Sequence, residues 1–458
     1  MTAPFGSCTI PARFLRTLSR SCQGGVVVKV AFIGAGSVEF TRNVVTDLCS
    51  YPELRGRLQL SLHDIDETRL GYAEALAKRI SAQSGAGAEV TASGDRRSAV
   101  AEADFVVNEI QVGGYAATRT DFDIPAKYGL RQTIGDTIGI GGIFRGLRTI
   151  PVLQAIGRDL AEVAPNATLL NYSNPMAMLP WAVYASTPFS RVVGLCHSVR
   201  DTHRLLAELV GVPRSEIEYV TAGFNHQAFV LTFRHEGQDL YPRLREVIDA
   251  DPELQRRVRV EIFRRFGYFP TESSEHSAEY VPWLMRRDDE LDRFRIPVGE
   301  YLRRSEANID EFDETLAVLQ ADGDLDLTPT SEMASEYIRA QMGGGPASLY
   351  VNIRNDGRIA NLPDECCVEV PATVDEEGLH PQQVGALPPQ LVALNRTFLN
   401  VVELTVKAVL EGDREHVYQA ALLDPNTAAT LGVDDIRRMC DELLVAHGDR
   451  IPEALRLP

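Results

Sequence analysis

The 458-residue sequence predicts an α/β protein whose N-terminal part is a doubly wound parallel sheet. Three observations carry this. Residues 26–33 read Val-Val-Val-Lys-Val-Ala-Phe-Ile, a continuous β-branched apolar run suited to a parallel strand buried on both faces. The run breaks at Gly34-Ala35-Gly36-Ser37, ahead of a helical stretch to about Ser50. Strand-like and helix-like stretches then alternate as far as about Gly211, the rhythm of crossover-connected parallel strands.

Each element has its own signal. A second strand over 58–63 ends in Asp64-Ile65-Asp66, and a helix follows over 67–81. A short strand is expected over 89–93, a helix over 97–103, and a strand over 105–110 that runs to the Gly113-Gly114 turn. Residues 149–163 read as a helix and 168–171 as a strand ending in Ser173-Asn174-Pro175. The strand over 192–195 delivers Cys196 at its C-terminal end, the edge where open α/β sheets bind ligands. After Gly211 the rhythm changes. Residues 217–222 and 228–234 suggest strands of a mixed sheet, and helical stretches are expected over 252–266, 332–342 and 389–411. The expected organisation is a poorly ordered extension (1–25), a Rossmann domain (26–211) and a C-terminal α+β domain (212–458) that carries substrate and metal. Residues 1–25 contain Arg13, Arg16 and Arg20 and no acid before Glu39; a transit-like peptide and an over-extended start both fit, and the abrupt signal at Val26 favours the second.

Composition narrows the partners. A net charge of -18 repels nucleic acid and anionic lipid, and fits a neutral substrate better than a polyanion. No apolar run reaches the roughly 18 to 20 residues of a membrane span. The 7 cysteines are scattered with no CxxC pair, which is no disulfide framework and points to a reducing cytoplasm with free thiols.

Four constellations carry chemistry. In the first, Gly34 and Gly36 allow a tight turn where backbone N–H groups, with Ser37, approach a pyrophosphate at a helix N-terminus. Glu39 stands where the third glycine of that fingerprint would be. Asp64 or Asp66 is placed to accept from ribose hydroxyls, which favours NAD over NADP. In the second, Cys196-His197 ends a strand and Asn225-His226 follows; a thiolate and an imidazole suit a divalent metal, although each taken alone is more often a buried thiol or a core histidine. A thiol nucleophile is disfavoured because adjacent residues at a strand end point to different sides. The third is Ser274-Glu275-His276-Ser277-Ala278-Glu279-Tyr280, which on a helix puts His276 and Tyr280 on one face. Tyr280 beside a metal is expected to have a lowered pKa and to act as a base; a solvent-facing polar helix is the plain alternative. The fourth is the glycine-rich loop from Asp136 to Gly142, leading into a helical Ile143-Phe144-Arg145, with Asn174 after its strand, suited to holding a substrate or the nicotinamide ribose; for Asn174 an Asx turn before proline is the plain alternative.

Together these segments resemble glycoside hydrolase family 4. The resemblance runs in order through GAGS, LHDID, QTIGDT, FRGLRTIP, NYSNPMAM, GLCHSV, AGFNH, SEHSAEYVPW, NLPDECCVEVP and LPPQLVALNR. The form CHSV is similar to the α-galactosidase and α-glucosidase branch. The resemblance implies a lactate/malate-dehydrogenase-like fold, bound NAD and a divalent metal, usually Mn2+, and an assembly of two or four identical chains. It also implies a hydrolysis outside the two-carboxylate scheme. NAD takes hydride from C3 of the sugar, a tyrosine removes the acidified C2 proton, the C1–O bond breaks by elimination, and water and hydride return. On this reading Cys196 and His226 hold the metal, Tyr280 is the base, His197 the proton donor, and Asn174 with Asp136 bind substrate. A metal is chemically required, since tyrosinate alone is too weak a base for a ketone α-proton. Ile140 replaces a proline usual in the family, and Arg200 replaces a frequent glutamine; a cation there would suit a uronide. The expected activity is α-galactoside hydrolysis, with an α-glucosidase, an α-uronidase, a net NAD-dependent dehydrogenase and a non-catalytic NAD-binding regulator as the other readings.

Overall fold

The computed structural model describes residues 27–37, 39–321 and 323–458, so the expectation for residues 1–25 lies outside it. Strand β1 (Val28–Ile33) is the pivot of the sheet and is buried along nearly its whole length. β2 (Leu58–His63) lies parallel on one side of it, with β3 (Glu89–Ala92) beyond. β4 (Phe105–Asn108) lies parallel on the other side, followed by β5 (Thr168–Asn171) and β6 (Val192–Gly194). The order β3-β2-β1-β4-β5-β6 is that of a doubly wound dinucleotide-binding sheet.

The sheet continues into the second half of the chain. The strands β7 (Ile217–Phe224) and β8 (Gln227–His235) form a hairpin, extended by β9 (Gln238–Asp239). Between this hairpin and β6 lie β10 (Ala347–Arg354) and β11 (Cys367–Asp375), with β12 (Gly378–Pro381) paired to β11. All are antiparallel. The two joins are narrow: Asn352 opposite Gly194, and Glu369 opposite Gly223. One apolar core runs from Val28 and Phe32 through Phe144 to Val368 and Phe398, and two smaller clusters lie around Phe263 and around Val281.

Three local expectations are corrected. The helical stretches expected at 143–145 and 149–163 are one helix, which begins at Gly139 inside the expected loop and runs unbroken to Val163. Gly142 and Gly146 serve packing there: a Cβ at Gly142 would sit 2.6 Å from the carbonyl carbon of Thr137, and one at Gly146 2.9 Å from Met178 Sδ. The sequence pattern reads such glycines as loop. The helix expected over 252–266 is instead Tyr241–Ala250 and Val258–Phe266, with Pro252 between them. The helices Gly114–Lys127, Glu300–Gln320 and Val433–His447 and the strands β10 and β11 were not anticipated. Among the described residues no helix is long and apolar enough to cross a membrane.

Candidate active site

The dinucleotide turn is built by close backbone approach. Gly34 has φ +82°, and a Cβ on it would lie 3.0 Å from the Ile110 nitrogen where β4 exits. Ser37 N–H donates to the Gly34 carbonyl at 3.0 Å, closing the turn before the helix Glu39–Ser50. Gly36 N–H donates to Asp64 Oδ2 at 2.9 Å, and a Cβ at Gly36 would meet Asp64 Oδ2 at 2.8 Å. Asp64 therefore stands at the turn. Asp66 is engaged otherwise: its Oδ1 caps the helix Glu67–Ser84 by accepting from the N–H groups of Thr68 and Arg69. A glycine turn aimed at a helix N-terminus, with an acid at the end of the next strand, fits a dinucleotide. Glu109, in the same corner, accepts from the Thr41 hydroxyl at 2.9 Å. Burial pushes it up to about 8.

The second cluster gathers at the C-terminal ends of β6 and β7. Cys196 follows β6 after one residue, Leu195. His226 is the second residue of the two-residue turn between β7 and β8 and has φ +66°. Glycine or asparagine ordinarily takes such a position, so a histidine there is strained by about 1–3 kcal/mol, the kind of outlier that gathers at functional sites. Cys196 Sγ lies 3.2 Å from His226 Nε2, and Glu272 Oε2 lies 3.4 Å from the same nitrogen. Glu272 shares the strained backbone, with φ +71°. It is carried there by Pro270, bridged to Phe229, and by Thr271 N–H donating to the Ala228 carbonyl at 2.9 Å. Burial opposes a charge on His226, but the Cys196 sulfur and Glu272 carboxylate outweigh it and raise it to about 10.

The other nitrogen of His226 is held differently. Thr137 Oγ1 donates to Asp136 Oδ1 at 2.7 Å and lies 2.8 Å from His226 Nδ1. Its proton is already committed, so it accepts from Nδ1–H and leaves Nε2 to face the thiol. Asp136 Oδ2 accepts from Asn174 Nδ2 at 2.9 Å. Burial works against ionisation of Asp136, yet His276 and Arg145 hold it below the usual carboxylate range. Asn174 Oδ1 also accepts from Met176 N–H at 3.3 Å, so the residue makes an Asx turn as well.

Tyr280 caps the short helix Ser274–Glu279, and its hydroxyl lies 2.9 Å from His276 Nδ1 and 3.4 Å from His226 Nδ1. The lowering expected of its pKa beside a metal has to work against its protein surroundings. Burial, then the Asp136, Glu279 and Glu272 carboxylates, push the phenol well above 10. The Thr137 hydroxyl offsets this in part, and burial with the nearby His226 lowers the His276 imidazole from its ordinary value, which favours it as an acceptor of the phenol proton. His197 has other partners. It begins the helix Ser198–Val210, stacks near Tyr172 and Phe40, and donates from Nε2 to Glu332 Oε2 at 2.8 Å. Against burial, that carboxylate raises His197 to about 9.

The structure thus brings Cys196, His226, Tyr280, Asp136 and Asn174 together, and sets Gly34, Gly36, Ser37 and Asp64 apart at the glycine turn after β1. Sequence reasoning missed Glu272, Thr137 and Glu332 as contributors, and it left His276 without a role. Arg200 is committed to Glu336, with Nη2 2.7 Å from Oε2, and to the Ser331 carbonyl. Ile140 lies fully buried in the first turn of the helix Gly139–Val163. The five described cysteines, Cys49, Cys196, Cys366, Cys367 and Cys440, are all free thiols.

A doubly wound sheet with a glycine turn that fits a dinucleotide, together with a thiol–imidazole–carboxylate cluster and a buried phenol, is the equipment of an enzyme class that joins a redox-cofactor fold to groups suited to metal and acid–base chemistry. Residues 29–212 match the family 4 glycosyl hydrolases, and residues 221–427 match their C-terminal domain. The chain belongs to glycosyl hydrolase family 4, and is a glycoside hydrolase. It is 40% identical over 430 residues to an α-galactosidase of Bacillus subtilis, covering 93% of this chain and 99% of that one. An α-galactosidase of Rhizobium meliloti is 34% identical, with 93% and 89% covered. The fold is also that of a 6-phospho-α-glucosidase from gut microorganisms solved with NAD and Mn2+, at a TM-score of 0.78 and 21% identity, covering 93% and 99% of the chains.

Proposed function

We propose that the protein hydrolyses α-galactosides with NAD and a divalent metal, Mn2+ by preference. The observation that carries this is the convergence of Cys196 Sγ on His226 Nε2 with the Tyr280 hydroxyl 3.4 Å from the other nitrogen of the same ring. When bound, the nicotinamide supplies a reversible hydride acceptor and the metal a Lewis acid toward the sugar oxygens. Gly34, Gly36 and Ser37 hold the dinucleotide phosphates, and Asp64 accepts from its ribose; Asp66 serves by capping the helix behind it. Cys196 and His226 hold the metal. Asn174 and Asp136 bind sugar hydroxyls. Tyr280, relayed to His276, removes the C2 proton, and His197, kept charged by Glu332, gives a proton to the departing oxygen.

An uncharged sugar is favoured over a uronide, because Arg200 already pairs with Glu336. On this reading the chain divides near Gly211 into a cofactor part and a substrate part, works in the reducing cytoplasm as a dimer or tetramer, and takes a free glycoside as its partner. Hydrolysis of a nitrophenyl α-galactoside is expected only with NAD, metal and thiol present, and with no net accumulation of NADH. Activity that survives removal of both NAD and metal ends the proposal; steady NADH production indicates a dehydrogenase.

A further inference from the structure

We infer that the Glu272 carboxylate is a third protein ligand of the metal, beside Cys196 Sγ and His226 Nε2. This deepens the metal reading above by adding a ligand that neither the Cys-His motif nor the spacing of the chain indicates. The three donor atoms lie within 4.8 Å of one another. Sulfur and oxygen approach the same nitrogen, at 3.2 and 3.4 Å. A carboxylate that only orients a metal-bound imidazole sits on its outer nitrogen. That place is taken here by Thr137, backed by Asp136. Glu272 faces the inner side, where a cation would be.

The backbone supports the same assignment. Glu272 is held at φ +71° immediately after the Phe229–Pro270 bridge, which aligns residues 270–272 with the start of β8. Its side chain is 17% exposed, so the carboxylate lies at the edge of the cleft and not in the core. Asp136, His226 and His276 form a competing trio within the same span. In that set Asp136 and the Nδ1 edge of His226 are already joined through the Thr137 hydroxyl. A thiolate, an imidazole and a carboxylate give a donor set of net charge near -2, matched to a divalent ion, and three protein ligands leave positions open for substrate oxygens, as catalytic metal sites do.

The test is Co2+ titration of the full-length protein without NAD or sugar, read by d–d absorption and the thiolate-to-cobalt band. Glu272→Gln and Glu272→Ala are expected to bind Co2+ on the order of 100-fold more weakly than wild type. Their d–d bands should be altered at saturation while the thiolate band is kept, with unchanged circular dichroism showing that they are folded. Affinity within about threefold of wild type and unchanged d–d bands would overturn the inference. So would loss of binding in Asp136→Asn with Glu272→Gln unaffected, which selects the competing trio. The underlying metal reading fails separately, if Cys196→Ser binds Co2+ with the wild-type spectrum.

Discussion

Thr137 decides which nitrogen of His226 is available, and it does so with one hydroxyl. The Oγ1 proton goes to Asp136, and a lone pair takes Nδ1–H of the histidine. Valine keeps the β-branched shape and removes both interactions, so the ring is free to choose either tautomer. Loss of such an outer partner weakens metal binding by about 10- to 100-fold. Thr137→Val is therefore expected to weaken Mn2+ binding within that range, measured from the free-ion electron spin resonance signal; wild-type affinity would show that Thr137 does not orient the ring. Cys196 and His226 were legible in the sequence because strand ends at the ligand edge are where such residues act. Thr137 and Glu272 were not. Their meaning comes from contacts 89 residues away for Thr137 and 46 for Glu272, made by a hairpin turn and an isolated bridge that leave no periodic signal.

The Gly34–Ser37 turn shows how much a local element can specify. Its strand, glycines and following acid were all readable, because each follows from backbone geometry within one βαβ unit. The structure adds how little room there is: a Cβ on Gly36 would come within 2.5 Å of Arg69 Cβ as well as 2.8 Å of Asp64 Oδ2. Gly36→Ala must push the helix Glu67–Ser84 or Asp64 away, an overpacking cost of about 1–3 kcal/mol. The expected result is a loss of that size in unfolding free energy by chemical denaturation, together with weaker NADH binding by fluorescence titration. Unchanged values in both would mean that Asp64 does not press on the turn. Other elements were harder to read. The helix Gly139–Val163 hides its first turns behind glycines that serve packing, and β11 carries Pro371, Thr373, Asp375 and the buried Glu369 among its apolar residues. Glu369 is tolerated because Asn352 and Asn225 both donate to its Oε1, at 3.1 and 3.3 Å, which is a tertiary arrangement.

Across the whole molecule, buried ionisable groups tie distant parts of the chain together. Arg148, fully buried, pairs with Asp121 at 2.6 Å, and His447 at the end of the C-terminal helix reaches the other Asp121 oxygen at 2.8 Å. Three helices are joined there by contacts that span 27 and 326 residues. Glu109 and Asp424 are instead governed chiefly by burial, and they contribute to the pH response of the fold. Burial raises Glu109 from 4.5 to about 8 and Asp424 from 3.8 to about 6. Both shifts are upward, so the folded chain keeps protons that the unfolded chain releases. Their contribution to stability is complete below the unfolded values and is lost as pH rises through the folded ones, at no more than about 1.4 kcal/mol per pH unit for each group. Glu109→Gln stays neutral at every pH and can still accept from Thr41. Without added cofactor, the melting temperature of the wild type is expected to fall as pH rises from 4.5 toward about 8. The variant should fall less steeply, so that its advantage over wild type grows with pH. Parallel melting curves for the two proteins across that range would show that the Glu109 carboxyl is not held protonated in the folded chain.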